Sequence, residues 1–211
     1  MINNIGLMQQ SILINGTPFF YEEKDLRFGM GPEITHEQAK EILFRMKSLL
    51  DEQGVRFWLI YGTLLGAVRE HDFISYDYDV DIQTDEYDKL LAIIPWLDEQ
   101  GMKLIRVQPQ RVYTFSLGSV YIDIYIAGKA PFPLNLWCSW LNGNIVPTRL
   151  VFPLSKLEFL GEKFAVPAQP EKLMEFFYGK TWRTPIPGVH GQYDIYPVYL
   201  YRRYIKKWIG R

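Results

Sequence analysis

The chain has 211 residues, 48% of them hydrophobic and 16% aromatic, enough to fill the core of one good-sized domain without disulfide or metal staples. Its formal net charge of −1 excludes a general nucleic-acid binder that works by neutralising phosphates. A single cysteine, Cys138, excludes an internal disulfide and fits a reducing compartment.

The first residues show no basic start followed by a long apolar run, so no secretory signal is expected. No window reaches the roughly 18 apolar residues of a spanning helix, and a cytoplasmic protein is expected. Residues 1–34 hold short strand-like pieces, Ser11–Ile14 and Pro18–Tyr21, and read as an N-terminal arm or hairpin. Thr35, with Gln38 three residues on, is a capping-box start. Ala39, Ile42, Leu43, Met46, Leu49 and Leu50 then recur at three-and-four spacing and predict an amphipathic helix that Gly54 stops.

Val55–Tyr61 is a compact apolar run, read as a buried strand, and Gly62-Thr63 separates it from a short helix over Leu64–Glu70. Asp72–Ser75 is loop, and Tyr78–Gln83 returns to strand. Asp85–Gln100 is a second amphipathic helix that Pro95 kinks or ends. Three strands follow, Met102–Val107, Val112–Leu117 and Val120–Ala127. Pro131–Trp140 is aromatic and interrupted by prolines, and reads as loop or lid; Cys138 within it reads as packing. Leu157–Val166 predicts a hairpin about Gly161, and Glu171–Tyr178 a helix capped by Gly179. Residues 183–193 are irregular and Val198–Ile209 is a terminal helix. This order predicts an α+β or mixed α/β domain over residues 35–190, with residues 191–211 as a C-terminal appendage.

The chemistry lies in the acids. Side chains two apart on a strand share a face, roughly 6.5–7 Å apart, so Asp77, Asp79 and Asp81 are expected together opposite Tyr78, Val80 and Ile82. Like charges so placed raise one another's pKa unless a cation lies between them, and a divalent ion with oxygen ligands serves that purpose. Asp123, alone between Ile122 and Ile124, repeats the oddity. If its strand pairs beside the first, Asp79, Asp81 and Asp123 make a triad able to hold two metal ions for an in-line displacement at phosphorus. The alternative is a solvated strand edge. Gly62-Thr63 adds a turn whose N–H groups and hydroxyl suit a phosphate, or a plain strand–helix turn.

The stretch GTLLGAVREHDFISYDYDVDI, with Tyr121-Ile122-Asp123-Ile124, Val151-Phe152-Pro153-Leu154, Leu160-Gly161-Glu162, Val166-Pro167 and Phe177–Pro185, resembles the LicD family of phosphocholine transferases and their fukutin-type relatives. The likeness covers about residues 38–186. Ser75 stands where the family has Pro, Tyr76 where it has Trp, Tyr78 replaces the middle acid of a triple, and Asp72 replaces a loop Gly.

The resemblance implies a nucleotidyltransferase-like fold with a mixed sheet flanked by helices. It implies transfer of a phospho-alcohol, phosphocholine or similar, from a CDP-activated donor to a glycan or lipid-linked glycan hydroxyl, releasing CMP. On this basis Asp79, Asp81 and Asp123 are the catalytic and metal-binding residues for two Mg²⁺ or Mn²⁺ ions, and Asp123 is also a candidate general base. Gly62, Thr63 and Arg69 are the expected phosphate contacts, Arg69 being alternatively a helix-end arginine in solvent. Asp77 ranks below the triad, and His71 and His190 read as loop histidines. Trp58, Tyr61, Tyr76, Tyr113, Trp137, Trp140 and Trp182 could form an aromatic cage for a quaternary ammonium, or simply core. The tail YLYRRYIKKWIGR sets aromatics on one helical face and Arg202, Arg203, Lys206 and Lys207 on the other, which suits peripheral contact with an anionic membrane. Competing readings keep the fold but transfer a nucleotide with pyrophosphate release, or make the chain a non-catalytic nucleotide- or glycan-binding module.

Overall fold

The computed structural model describes residues 8–24, 26, 34–75 and 77–185. The expected terminal helix at 198–209, His190 and Tyr76 lie outside the described residues. In chain order the elements are β1 (Met8–Ile14), β2 (Thr17–Glu23), α1 (His36–Glu52), β3 (Trp58–Leu59), α2 (Tyr61–Arg69), β4 (Val80–Thr84) and α3 (Tyr87–Glu99). There follow β5 (Lys103–Gln108), β6 (Val112–Leu117), β7 (Val120–Lys129), a 3-10 turn at Leu134–Leu136, β8 (Cys138–Leu141) and β9 (Asn144–Pro147). The last are α4 (Thr148–Val151), β10 (Ser155–Phe159), β11 (Glu162–Val166) and α5 (Pro170–Tyr178). The elements fall into two compact units, residues 1–57 with 77–126 and residues 58–76 with 127–211.

The first unit is built on strands in the order β4-β7-β6-β5. β4 and β7 run parallel, while β6 is antiparallel to both β7 and β5. This is the mixed sheet the sequence predicts. Val80, Ile82, Ile122, Ile124 and Phe115 are fully buried on one face of it. α1 packs on β4 and α3 on β5. α1 begins at the capping box as expected: Thr35 Oγ1 accepts from Gln38 N–H, and Gln38 Oε1 accepts from Thr35 N–H. Its buried side is Ala39, Ile42, Leu43, Met46, Leu49 and Leu50. The β1/β2 hairpin turns on Asn15-Gly16, both at positive φ, the backbone that a two-residue hairpin demands. Lys24 N–H, just past β2, donates to the carbonyl of Ile105 on β5 at 2.9 Å.

In the second unit the expected strand at Val55–Tyr61 shrinks to Trp58–Leu59. Val55 N–H is spent closing the end of α1 on the Leu50 carbonyl, and the chain enters α2 already at Tyr61. An unbroken apolar run carries no mark of where strand yields to helix. Gly62 and Thr63 therefore lie within the first turn of α2 instead of in a turn before it. The Pro131–Trp140 segment is also more ordered than a loop, for its end forms β8, which pairs with β9 across Asn142-Gly143. The β10/β11 hairpin turns at Leu160-Gly161, and α5 ends at Gly179 with φ 81°, both as expected.

Candidate active site

The acids meet on the second face of the first unit's sheet. Asp81 pairs across with Asp123, Asp123 with Thr114, and Thr114 with Arg106. These four residues form a polar row across β4, β7, β6 and β5, one from each strand. Asp79 sits immediately before β4, and its nearest carboxylate oxygen lies within 4.8 Å of those offered by Asp81 and Asp123. The strand begins at Val80, so Asp77, Tyr78 and Asp79 precede it and only Asp81 of the expected three-acid strand face lies in β4. Asp77 remains close enough to help raise the Asp79 pKa.

Arg106 reaches this row through a bulge. Leu104 pairs with Phe115 and Arg106 with Thr114, so Ile105 is an extra residue in β5. Regular pairing would set Ile105 opposite Thr114 and turn Arg106 to the apolar face, because one residue of register flips every side chain. The bulge instead keeps Leu104 and Ile105 both buried and aims Arg106 at the acids. The Ile105 carbonyl accepts from Lys24 N–H at 2.9 Å.

Asp123 is fully buried, and its carboxylate accepts four hydrogen bonds. Arg106 Nη2 donates to Oδ2 at 2.7 Å and to Oδ1 at 3.0 Å. Thr114 Oγ1 donates to Oδ1 at 2.5 Å, and Tyr125 Oη to Oδ2 at 3.3 Å. Arg106 Nε is in turn held on Thr114 Oγ1 at 3.0 Å. Burial pushes the Asp123 pKa up, against the opposing pull of Arg106, Thr114 and Tyr125. Asp79 is pushed well above the usual carboxylate range, by burial first and then by the charges of Asp123 and Asp77. The Tyr121 hydroxyl, on the same face of β7, is raised by burial and by Asp79 and Asp123. Three clustered carboxylates, two of them protonated more readily than free aspartate, are an arrangement that a divalent cation would relieve. Their hard oxygen donors suit Mg²⁺ or Mn²⁺.

Besides Thr114 and Tyr125, two residues of this face escape the sequence reading. Arg106 is one, since strict alternation through KLIRVQ puts it on the wrong side. The other is Gln83, two residues beyond Asp81. Its side chain is fully buried, and neither the amide oxygen nor the amide nitrogen has a hydrogen-bond partner among the described residues. A polar residue inside an otherwise apolar strand, VDIQT, is the signal that could have found it.

The remaining predicted residues, Tyr113 on β6 apart, belong to the second unit. Gly62 and Thr63 occupy the first turn of α2, and Thr63 is buried. Arg69 closes that helix with its side chain only 8% exposed. Its Nε donates to Glu70 at 2.7 Å and its Nη1 to the Trp182 carbonyl at 3.1 Å. Its Nη2 is buried and has no partner among the described residues. The second glycine of the motif, Gly66, has a packing role: a Cβ there would meet the Asp72 carbonyl oxygen at 2.5 Å and Ile74 N at 3.2 Å. His71 is exposed at φ 58°. Of the candidate cage aromatics, Trp58, Tyr61, Tyr113 and Trp182 are core residues, and Trp137 is 64% exposed. Cys138 is half-buried in β8.

Compared with known proteins, residues 54–169 match the family model described as LicD/FKTN/FKRP, nucleotidyltransferase domain. The human ribitol-5-phosphate transferase FKTN is 29% identical over 164 residues, covering 71% of this chain and 34% of that protein. The human ribitol 5-phosphate transferase FKRP is 37% identical over 180 residues, covering 79% of this chain and 35% of that protein. The chain thus spans about a third of the length of these curated relatives. Among solved structures, the lincosamide antibiotic adenylyltransferase LnuA, lincomycin-bound, aligns with a TM-score of 0.47 at 15% identity over 71% of this chain and 92% of that one.

Proposed function

The chain belongs to the LicD/FKTN/FKRP nucleotidyltransferase-domain family, and from that premise we propose that it is a metal-dependent phosphotransferase acting on a glycan. The donor is a CDP-activated alcohol such as CDP-ribitol or CDP-choline. The acceptor is a hydroxyl of a cell-surface glycan or of its lipid-linked precursor. The observation that carries this reading is the convergence of Asp79, Asp81 and Asp123 on one sheet face, in a chain whose relatives are named as ribitol-phosphate transferases.

Asp79 and Asp81, with Asp123 behind them, would hold the divalent cation. Bound there, it supplies charge neutralisation for the donor's phosphates and for the leaving oxygen. The residues of the chain provide the rest. The acceptor oxygen forms a new bond to the phosphorus that carries the alcohol. The bond from that phosphorus to the bridging oxygen breaks, and CMP leaves with the electron pair. The acceptor's hydroxyl proton passes to a carboxylate of the triad. Arg106 adds fixed positive charge at the base of the row, useful where phosphate charge develops. Gly62, Thr63 and Arg69 are proposed phosphate contacts, Arg69 because a buried guanidinium with an unmet donor suits a phosphate oxygen.

The test is a panel of CDP-alcohols with Mg²⁺ or Mn²⁺, scored by CMP release, with the Asp81→Asn protein as blank. CMP released by the wild type alone supports the reading, and equal release by both overturns the metal assignment. The basic, aromatic residues 198–211 are proposed as a peripheral membrane contact. Co-sedimentation with anionic liposomes should fall when they are deleted, and unchanged binding would remove that part of the proposal.

A further inference from the structure

Building on the metal-dependent reading above, we propose that the Arg106 guanidinium takes the place of a second metal ion, so that the site binds one divalent cation, on Asp79 and Asp81. Three observations carry this. The first is the saturation of Asp123. Two carboxylate oxygens offer about four lone-pair positions, and Asp123 spends them on Arg106 twice, on Thr114 and on Tyr125. A metal ion at Asp123 would have to displace one of these donors inside a fully buried environment.

The second is charge. Three clustered carboxylates are neutralised by one guanidinium and one divalent ion together. Before the donor binds, a second divalent ion placed beside Arg106 would leave excess positive charge where little water is present to screen it, and once the donor is bound Arg106 already offers its diphosphate a positive charge. The third is that the fold goes out of its way to deliver Arg106. The bulge at Ile105 interrupts the β5–β6 ladder, and the Ile105 carbonyl is held by Lys24 N–H from outside this sheet. Were Ile105 paired regularly opposite Thr114, Arg106 would face the apolar side.

Arg106 is also equipped for the task a second ion would perform. Its Nε and Nη2 are anchored on Thr114 and Asp123, and its side chain retains 16% exposure. Nη1 makes no hydrogen bond among the described residues, which leaves its two donors for a phosphate oxygen of the donor diphosphate. A guanidinium fixed at three points presents those donors without reorganisation.

The experiment is Mn²⁺ binding by the full chain in the presence of CDP, followed by electron paramagnetic resonance. The wild type is expected to bind one Mn²⁺ with the spectrum of an isolated ion. Arg106→Met, which frees lone pairs on Asp123 and removes the competing charge, is expected to bind two and to show the coupled spectrum of ions about 3.5–4 Å apart. Arg106→Lys keeps the charge and is expected to stay at one. Asp123→Asn, measured in parallel in case Arg106→Met does not fold, is expected to keep one bound Mn²⁺ with the spectrum of an isolated ion, whereas Asp81→Asn is expected to lower Mn²⁺ affinity at least about tenfold. Two coupled ions in the wild type, or loss of the bound ion in Asp123→Asn, would overturn the inference while leaving the metal-dependent reading intact. Absence of Mn²⁺ binding to the wild type, or binding that Asp81→Asn leaves unchanged, would overturn both.

Discussion

The two faces of the β4-β7-β6-β5 sheet are made from the same strands and serve opposite ends. One carries Val80, Ile82, Ile122, Ile124 and Phe115, all fully buried. The other carries Asp81, Asp123, Thr114 and Gln83, also buried but polar, with a half-buried Arg106. Burial on the first face stabilises the fold at about 25 cal/mol for each Å² of apolar surface removed from water. Burial on the second costs free energy unless every charge and amide is met. Strand alternation alone thus segregates an apolar face from a polar one, and the polar face holds carboxylates that a bound cation would relieve.

Substitutions that act on one face and spare the other are the means to break this comparison. Ile122→Ala, on the apolar face, should lose about 2–5 kcal/mol of stability by opening a cavity. Its CMP release per folded molecule should stay near wild type, as a denaturant midpoint and a rate at matched folded fraction would show. Asp81→Asn should do the reverse, lowering turnover by about 10²–10³-fold with little change in midpoint. If both variants lost activity and stability together, the separation of the faces would be wrong.

Asp79 sharpens the contrast through pH. Its pKa is raised in the folded state, so the metal-free fold is favoured at low pH and loses that advantage as pH rises through the raised value. Asp79→Asn removes the loss. Its metal-free melting temperature should exceed that of the wild type at neutral pH, and the two should converge near pH 4, about the pKa of free aspartate. Added Mn²⁺ should raise the wild-type melting temperature and leave the variant's unchanged. The smallest effect is expected at Gln83, whose amide is buried without partners. Gln83→Met should gain about 1 kcal/mol in stability, and a rise in donor KM alongside it would mark the amide as a ligand contact.

Much of this sheet was legible in advance. The capping box at Thr35, the helical spacing of α1 and the β-branched runs of β6 and β7 are local signals, and they give the elements almost to the residue. The acids were legible too, because Asp123 between two isoleucines contradicts its surroundings. What remained hidden depends on non-local pairing. Nothing in KLIRVQ announces a bulge, since the extra residue is defined only by its register against β6. Arg106 was therefore invisible as the partner of Asp123. The start of α2 at Tyr61 was missed because VRFWLIY is apolar at every position but Arg56. The β8/β9 hairpin was missed because the prolines and aromatics of 131–140 outweighed Asn142-Gly143, an ordinary hairpin turn.

The most direct test of the whole account is a ³¹P NMR time course with a CDP-alcohol, a glycan acceptor and Mn²⁺ removed by chelation before the spectra are recorded. The account predicts that CMP and a new alcohol–phosphate–glycan diester appear in equal amounts, and that neither forms when the chelator is present from the start. Pyrophosphate released from a nucleoside triphosphate, with CDP-alcohols left intact, would contradict it.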